Sequence, residues 1–316
     1  MIRIQNLTKY YGDFRAVDNI SFSVKDGEIL GFLGPNGAGK TTTLKILTCF
    51  MPPSEGAINF NDLNVRDHSM EIRRMIGYLP ENAPVYEYMS IREYLDYICD
   101  LRDIYGARRK DRMDAMIETC GLSKMMGKDI GELSKGYRQR VGIAQAMIHE
   151  PEVLILDEPT IGLDPNQIVE IRHLIKDIGK EKTVILSTHI LSEVEATCDR
   201  VVIISSGEIV ADGTPDSLQD QLAGQSTLFL EVKGNTAEMA DAFSGIGRVE
   251  KIHCVAESGG NARLEIMVKH GYDVREEIFR KTVEKGWVIL EMRQHKTNLE
   301  EVFRQLTLSQ GAVPNE

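Results

Sequence analysis

The sequence predicts an α/β fold with a largely parallel sheet, followed by a small α+β domain, and three observations carry that reading. Short apolar, β-branched runs recur through residues 1–221 with helical patterns between several of them, the alternation that builds parallel sheets. The stretch between residues 88 and 131 reads as helix alone and marks a helical subdomain, about residues 88–150, set into the α/β domain. From about residue 222 the pattern restarts in the order β-α-β-β-α-β, that of the ferredoxin-like split unit, so residues 222–316 are expected to form an accessory domain.

Along the chain, IRIQNL alternates as a strand does, and SFSVKDGEILGFLG reads as two strands joined at Lys25-Asp26-Gly27. The helical run TTTLKILTCF follows. Further strands are expected at residues 76–79, 153–156, 183–187 and 201–204. In the helical stretch Ile91, Tyr94, Leu95, Ile98, Leu101 and Tyr105 share one face at a 3.6-residue period, the pattern of core packing. Ser90 with Glu93 forms a capping box at its start, and a second helix is expected over residues 111–120, stopped by Gly121. Beyond residue 222, TLFLEVK, GRVEKIHCVAE, ARLEIMVKH and WVILEMR read as strands, with NTAEMADAFSGI and YDVREEIFRKTVEKG as helices. The middle pair of strands turns at Ser258, Gly259, Gly260 and Asn261, and a last helix is expected to be capped by Thr297 with Glu300. No catalytic constellation occurs in this part.

Composition narrows the function classes. A net charge of −11 gives no global attraction for nucleic acid, so no nucleic-acid partner is expected. The five cysteines are dispersed and never in CxxC spacing, which favours reduced thiols in a cytosolic compartment over disulfides or zinc. The N-terminus has no signal-peptide run, and VLIL and VVII are far too short to cross a bilayer core of about 30 Å. A soluble chain is expected, with any membrane-spanning part supplied by another polypeptide.

The chemistry begins at GPNGAGKTT, which fits GxxxxGK[ST] directly after an apolar strand and before a helix. Gly34, Pro35, Asn36, Gly37, Ala38 and Gly39 form a loop whose backbone N–H groups can turn inward on phosphate oxygens. Lys40 adds a full positive charge, Thr41 can offer its hydroxyl to Mg²⁺, and Thr42 continues the helix mouth. EVLILDEP then delivers Asp157 and Glu158 at a strand end, where ligands of open parallel sheets sit. Asp157 is suited to hold Mg²⁺ and Glu158 to accept a proton from an attacking water or to orient it. TVILSTH ends in His189, positioned either as a structural histidine or as a donor to the γ-phosphate. A further segment, ELSKGYRQR, puts Ser134 and Gly136 at another helix mouth with no reaction of its own.

With the phosphate loop, ILDEP, STH and LSKGY in one order, the chain resembles the ATP-binding cassette (ABC) ATPases, a P-loop NTPase family, over nearly all of residues 1 to about 220. LSKGY, residues Leu133, Ser134, Lys135, Gly136 and Tyr137, corresponds to the signature motif LSGGQ, with Lys135 and Tyr137 as departures. Asp164 in GLD looks like the D-loop aspartate, His189 like the switch histidine, and Tyr11 in KYYGDF like the aromatic that stacks on adenine. The family usually has a Gln after the strand GYLP; here it is Glu81, still an oxygen ligand for Mg²⁺ beside Thr41 and Asp157. YLPE and the appended domain ending in LEEVFRQLT are similar to the ABC-2 exporter branch, which includes gliding-motility and drug-resistance exporters.

The resemblance implies an ATPase using ATP and Mg²⁺. It implies a homodimer in which each ATP lies between the phosphate loop of one copy and the signature of the other, and a separate integral membrane permease of ABC-2 type. The expected location is cytoplasmic, peripheral on the inner face of the cell membrane. The competing expectation is a soluble ABC-family ATPase acting on ribosomes or DNA. Relatives of that sort usually carry two cassettes or a long coiled-coil insertion, and this sequence has neither.

Overall fold

The structure, a computed structural model, describes residues 1–222, 225–234, 236–258, 261–269 and 272–295. It divides into two compact units, one of Met1–Pro215 and one beginning at Asp216. The first unit opens with β1 (Ile2–Tyr11), β2 (Phe14–Val24), β3 (Ile29–Leu33), α1 (Lys40–Leu47), β4 (Glu55–Phe60), β5 (Leu63–Asn64), α2 (Ser69–Met75) and β6 (Ile76–Leu79). Three helices follow, α3 (Ile91–Leu101), α4 (Gly106–Thr119) and α5 (Lys135–Met147). β7 (Val153–Asp157), α6 (Pro165–Gly179), β8 (Thr183–Thr188), α7 (Leu191–Thr197), β9 (Arg200–Ser205) and β10 (Glu208–Gly213) come next, and α8 (Pro215–Leu222), all but its first residue, belongs to the second unit.

Six strands form one sheet in the order β10-β9-β3-β8-β7-β6, parallel except at the β10 edge. Every residue of β3, β7 and β8 is buried, which is why these segments read as continuous apolar runs: both faces of the sheet are covered. A second, antiparallel sheet, β2-β1-β4-β5, shares a core with the first. Phe22 stacks on Phe32 there at 5.5 Å between ring centroids, and Ile4, Leu44, Ile58 and Ile155 fill the space around them. Each such side chain contributes about 1.5–3 kcal/mol on burial. The parallel order brings the C-terminal ends of β3, β7 and β8 side by side, the edge at which ligands of open α/β sheets bind.

The helical stretch departs from its expected pattern at one end. Ser90 and Glu93 do form a capping box, and Ile91, Tyr94, Leu95 and Ile98 are buried. Leu101 and Tyr105 are not: they are 61% and 59% exposed. The cause is local, since α3 ends at Leu101 and Asp103 takes φ 55°, so the 3.6-residue period stops before Tyr105. Tyr105 instead precedes α4, which begins at Gly106 and not at residue 111. β4, β5 and α2 had no counterpart among the expected elements.

The second unit contains β11 (Gln225–Lys233), α9 (Thr236–Ser244), β12 (Val249–Ser258), β13 (Asn261–Lys269), α10 (Arg275–Glu284) and β14 (Val288–His295). Its sheet runs β12-β13-β11-β14 with every neighbouring pair antiparallel. β13 thus lies between the two strands that α9 joins, the arrangement of a split β-α-β unit. Its own core includes Leu230, Phe243, Ile266, Ile278 and Trp287, with the Phe243 and Trp287 rings edge to face at 5.7 Å. Gly259, Gly260, the Thr297 and Glu300 cap and LEEVFRQLT lie outside the described residues. Of the cysteines, Cys254 is exposed, while Cys49, Cys99, Cys120 and Cys198 are buried and free.

Candidate functional site

The loop between β3 and α1 is held where side chains have no room. A β-carbon on Gly34 would come within 2.4 Å of the Ile204 carbonyl oxygen, and one on Gly39 within 2.6 Å of the Ala16 oxygen. Gly39 caps α1 at φ 107°, a conformation open to glycine and strained for other residues. The loop therefore lies against the protein backbone, and the N-terminal amides of α1 open onto its other side with favourable potential for an anion.

Lys40, the first residue of α1, donates from Nζ to the carbonyl oxygens of Gly34 at 2.7 Å and Pro35 at 3.2 Å. Its ammonium also lies 3.3 Å from Glu158 Oε1, with only 6% and 7% of the two side chains exposed. The other Glu158 oxygen, Oε2, lies 2.9 Å from His189 Nδ1. Both carboxylate oxygens of Glu158 thus have a partner, as a buried charge requires. Glu158 itself adopts φ 49°, and its N–H is held by the Ser187 carbonyl and hydroxyl, each at 3.1 Å.

Asp157, one residue earlier, accepts hydrogen bonds at Oδ1 from the Ser187 hydroxyl and, at 3.5 Å, from the Thr41 hydroxyl. Burial holds its carboxyl above the usual aspartate range. The two hydroxyls and Lys40 act against that rise, and the Glu158 charge adds to it.

A cavity of about 420 Å³ opens over these groups. Pro35, Asn36, Gly37, Gly39, Lys40, Thr41 and Thr42 form its phosphate-loop side, while Glu158, Ile161 and Glu81 form another wall. Tyr11, Phe14 and Ala16 complete it. Tyr11 is 46% exposed at the lip, its hydroxyl donating to Met51 Sδ at 3.2 Å, whereas Tyr10 faces elsewhere beneath the Arg15 guanidinium. Ala38 is buried, and its carbonyl accepts from the Gly207 N–H at 3.0 Å. His189 reaches the site through Glu158.

Phe14, Ala16, Ile161 and Ser187 were not among the expected site residues. Phe14 carried a readable signal, an aromatic just past the Gly-Asp turn of KYYGDF, and it is 64% exposed. Ser187 carried none, because its partner Asp157 lies on the neighbouring strand.

Leu133, Ser134, Lys135, Gly136 and Tyr137 do not line this cavity, and neither does Asp164. Ser134 caps α5, its hydroxyl accepting from the Tyr137 N–H at 3.4 Å. Asp164 caps α6 in the same way, accepting from the Gln167 N–H at 2.9 Å.

No group of three or more His, Cys, Asp or Glu side chains among the described residues could hold a metal ion. The site offers instead one hydroxyl and one carboxylate, Thr41 and Asp157, beside the phosphate loop. Hard oxygen donors in that number suit Mg²⁺ arriving with phosphate oxygens and water, not a cation caged by protein alone.

A glycine loop after β3, a lysine at a helix mouth and two carboxylates at the end of β7 define the class of P-loop nucleotide-hydrolysing enzymes. Comparison with known proteins is more specific. The family described as "ABC transporter" matches residues 17–161, and one described as "AAA domain, putative AbiEii toxin, Type IV TA system" matches residues 129–195. The linearmycin resistance ATP-binding protein LnrL of Bacillus subtilis is 31% identical over 308 residues, which is 97% of this chain and 98% of LnrL. The bacitracin transport ATP-binding protein BcrA of Bacillus licheniformis is 42% identical over 221 residues, 69% of this chain and 71% of BcrA.

Among solved structures, cbiO1 of Clostridium perfringens, part of the ABC transporter complex cbiONQ, superposes with a TM-score of 0.64 at 30% identity, covering 69% of this chain and 89% of that one. A dimeric ATP-binding cassette in a post-hydrolysis state, bound to ADP and Pi, gives 0.61 at 26% identity, covering 68% and 98%. The chain belongs to the ATP-binding proteins of ABC transporters: it is a cassette ATPase, and it binds ATP.

Proposed function

We propose that this chain is the ATP-binding and ATP-hydrolysing subunit of an ABC-2 type exporter, working as a homodimer beneath a separate transmembrane permease at the inner face of the cell membrane. The observation that carries the dimer is an incomplete site. Pro35, Asn36, Gly37, residues 39–42 and Glu158 line one cavity, with Asp157 bonded to Thr41 and His189 to Glu158, while Ser134 and Gly136, at the mouth of a different helix, line none of it. A second anion-binding helix start has a use if it closes on the ATP of another copy, and a two-fold pairing completes two sites at once. The transport and resistance roles named for BcrA and LnrL support the exporter reading. LnrL matches almost the whole chain, which supports counting residues 222–316, as an accessory domain, in the same assembly.

In this reading Tyr11 stacks on the adenine, the loop amides and Lys40 bind the β- and γ-phosphates, and the signature residues Leu133 to Tyr137 of the second copy close the site, with Ser134 and Gly136 touching phosphate. Thr41, Asp157 and Glu81 would hold Mg²⁺, which would supply charge neutralisation on the phosphate oxygens. Glu158 takes the proton of the attacking water as the new bond forms to the γ-phosphorus and the bond to the β–γ bridging oxygen breaks. His189, which is bonded to Glu158, donates to the γ-phosphate in this reading. Asp164, at the D-loop, meets the opposite copy. Hydrolysis removes the link between the copies, and their separation moves the permease.

The test is copurification from native membranes under mild detergent. An integral membrane protein of ABC-2 type is expected with this chain; recovery with ribosomes and never with membranes would contradict the exporter reading.

A further inference from the structure

We propose that Lys135 is a positioning residue that clips the signature helix to the loop carrying Glu158, so that each ATP of the dimer influences hydrolysis of the other. The inference rests on the dimer proposed above. Lys135 is the first residue of α5, where a cation opposes the helix dipole. Its side chain turns from the helix mouth towards the D-loop. A β-carbon built on Gly162 would lie 2.5 Å from Lys135 Nζ, 3.6 Å from Cε and 3.7 Å from Cδ, so the lysine covers that glycine along the end of its stem.

One residue further on, a β-carbon on Gly136 would meet Cδ and Oε1 of Gln167 at 2.7 Å. The first turn of α5 is therefore seated at two points, on Gly162 and on the first turn of α6.

Between those points and Glu158 the chain has little slack. The Ile161 N–H donates to the Glu158 carbonyl and the Leu163 N–H to the Thr160 carbonyl, both at 3.2 Å, so two interlocked turns connect Glu158 to Gly162. Asp164 then caps α6 on Gln167. Glu158 starts this segment at φ 49° and Gly162 sits at φ 68°, so a shift at Gly162 is transmitted to a residue already in a restricted conformation. Ile161, between them, lines the ATP cavity.

In the dimer the mouth of α5 meets the partner copy's ATP, whereas Glu158 acts on its own. Lys135 thereby links two distinct sites through one contiguous contact, the physical requirement for coupling between them.

Steady-state ATPase measurements on the full chain test this, with ATP varied through KM. We compare the wild type with Lys135→Met, which keeps most of the stem and loses the charge, and Lys135→Arg, which keeps a charge. Lys135 is exposed, so its substitutions are expected to fold. The expected wild-type Hill coefficient exceeds 1. Lys135→Met is expected to bring it close to 1 and to lower kcat at least threefold with a smaller change in KM, and Lys135→Arg to restore both.

A wild-type Hill coefficient of 1, or wild-type cooperativity and kcat in Lys135→Met, overturns the proposal. Light scattering on Glu158→Gln with ATP separates the two failures. A monomer sinks the dimer and the clip together, while a dimer alongside an unaffected Lys135→Met sinks the clip alone.

Discussion

Three substitutions separate the roles of the buried charges. Glu158 is buried, bonded to Lys40 and to His189, and positioned as a base. Glu158→Gln is expected to bind ATP and to lose turnover by about 10²- to 10⁴-fold, the usual contribution of general base catalysis. Phosphate release measures this, and near-normal turnover would remove Glu158 from the role. Lys40→Ala is expected to weaken ATP binding itself by about one to two decades, because a charged hydrogen bond contributes roughly 1.5–3 kcal/mol; titration with a fluorescent ATP analogue reads it.

Asp157 yields a pH prediction of a different sign. Burial holds its folded pKa above the unfolded value, so the carboxylate costs stability at neutral pH, and the cost fades as pH falls through the raised pKa. Asp157→Asn is expected to raise the thermal midpoint at pH 7 while lowering activity, and to raise it less near pH 4. An equal shift at both pH values would argue against burial as the cause.

At the scale of elements, the site is legible where sheet and motif agree. β3, β7 and β8 are buried on both faces, so their sequences are unbroken apolar runs, and the functional groups follow directly from their ends. β4 is harder to read because only Ile58 and Phe60 of EGAINF are buried, leaving too short an alternation to identify. The α3 period overran its helix because nothing in DLRDIY announces that Asp103 takes a positive φ. Ser187 was hidden for a related reason: its partner Asp157 lies on a neighbouring strand, and sequence order does not show that adjacency.

His149 joins two elements in the same way, Nε2 donating to the Ile76 carbonyl at 3.0 Å where β6 begins. Burial, with Arg102 nearby, holds its pKa down at about 4, from 6.5. Between those values the unfolded chain takes up a proton that the folded chain refuses, so stability falls as pH drops from 6.5 towards 4. His149→Gln is expected to flatten that part of the curve, by an amount on the order of 1–3 kcal/mol. Urea denaturation at a series of pH values gives the comparison, and a variant with an undiminished acid slope would contradict it.

At the scale of the whole molecule, two units each have a core of their own, and no described helix is long and apolar enough to cross a membrane. The proposed transport role assigns the spanning part to a permease, and the force to the opening and closing of two cassettes. Everything in that reading depends on ATP joining two copies through Ser134 and Gly136. The most direct test is the mass of full-length Glu158→Gln in solution with Mg²⁺ and ATP, beside the same chain also carrying Ser134→Ala. The prediction is an ATP-dependent dimer holding two ATP for the first, and a monomer that still binds ATP for the second. A Glu158→Gln chain that binds ATP and stays monomeric, or a dimer indifferent to ATP and to Ser134, would contradict it.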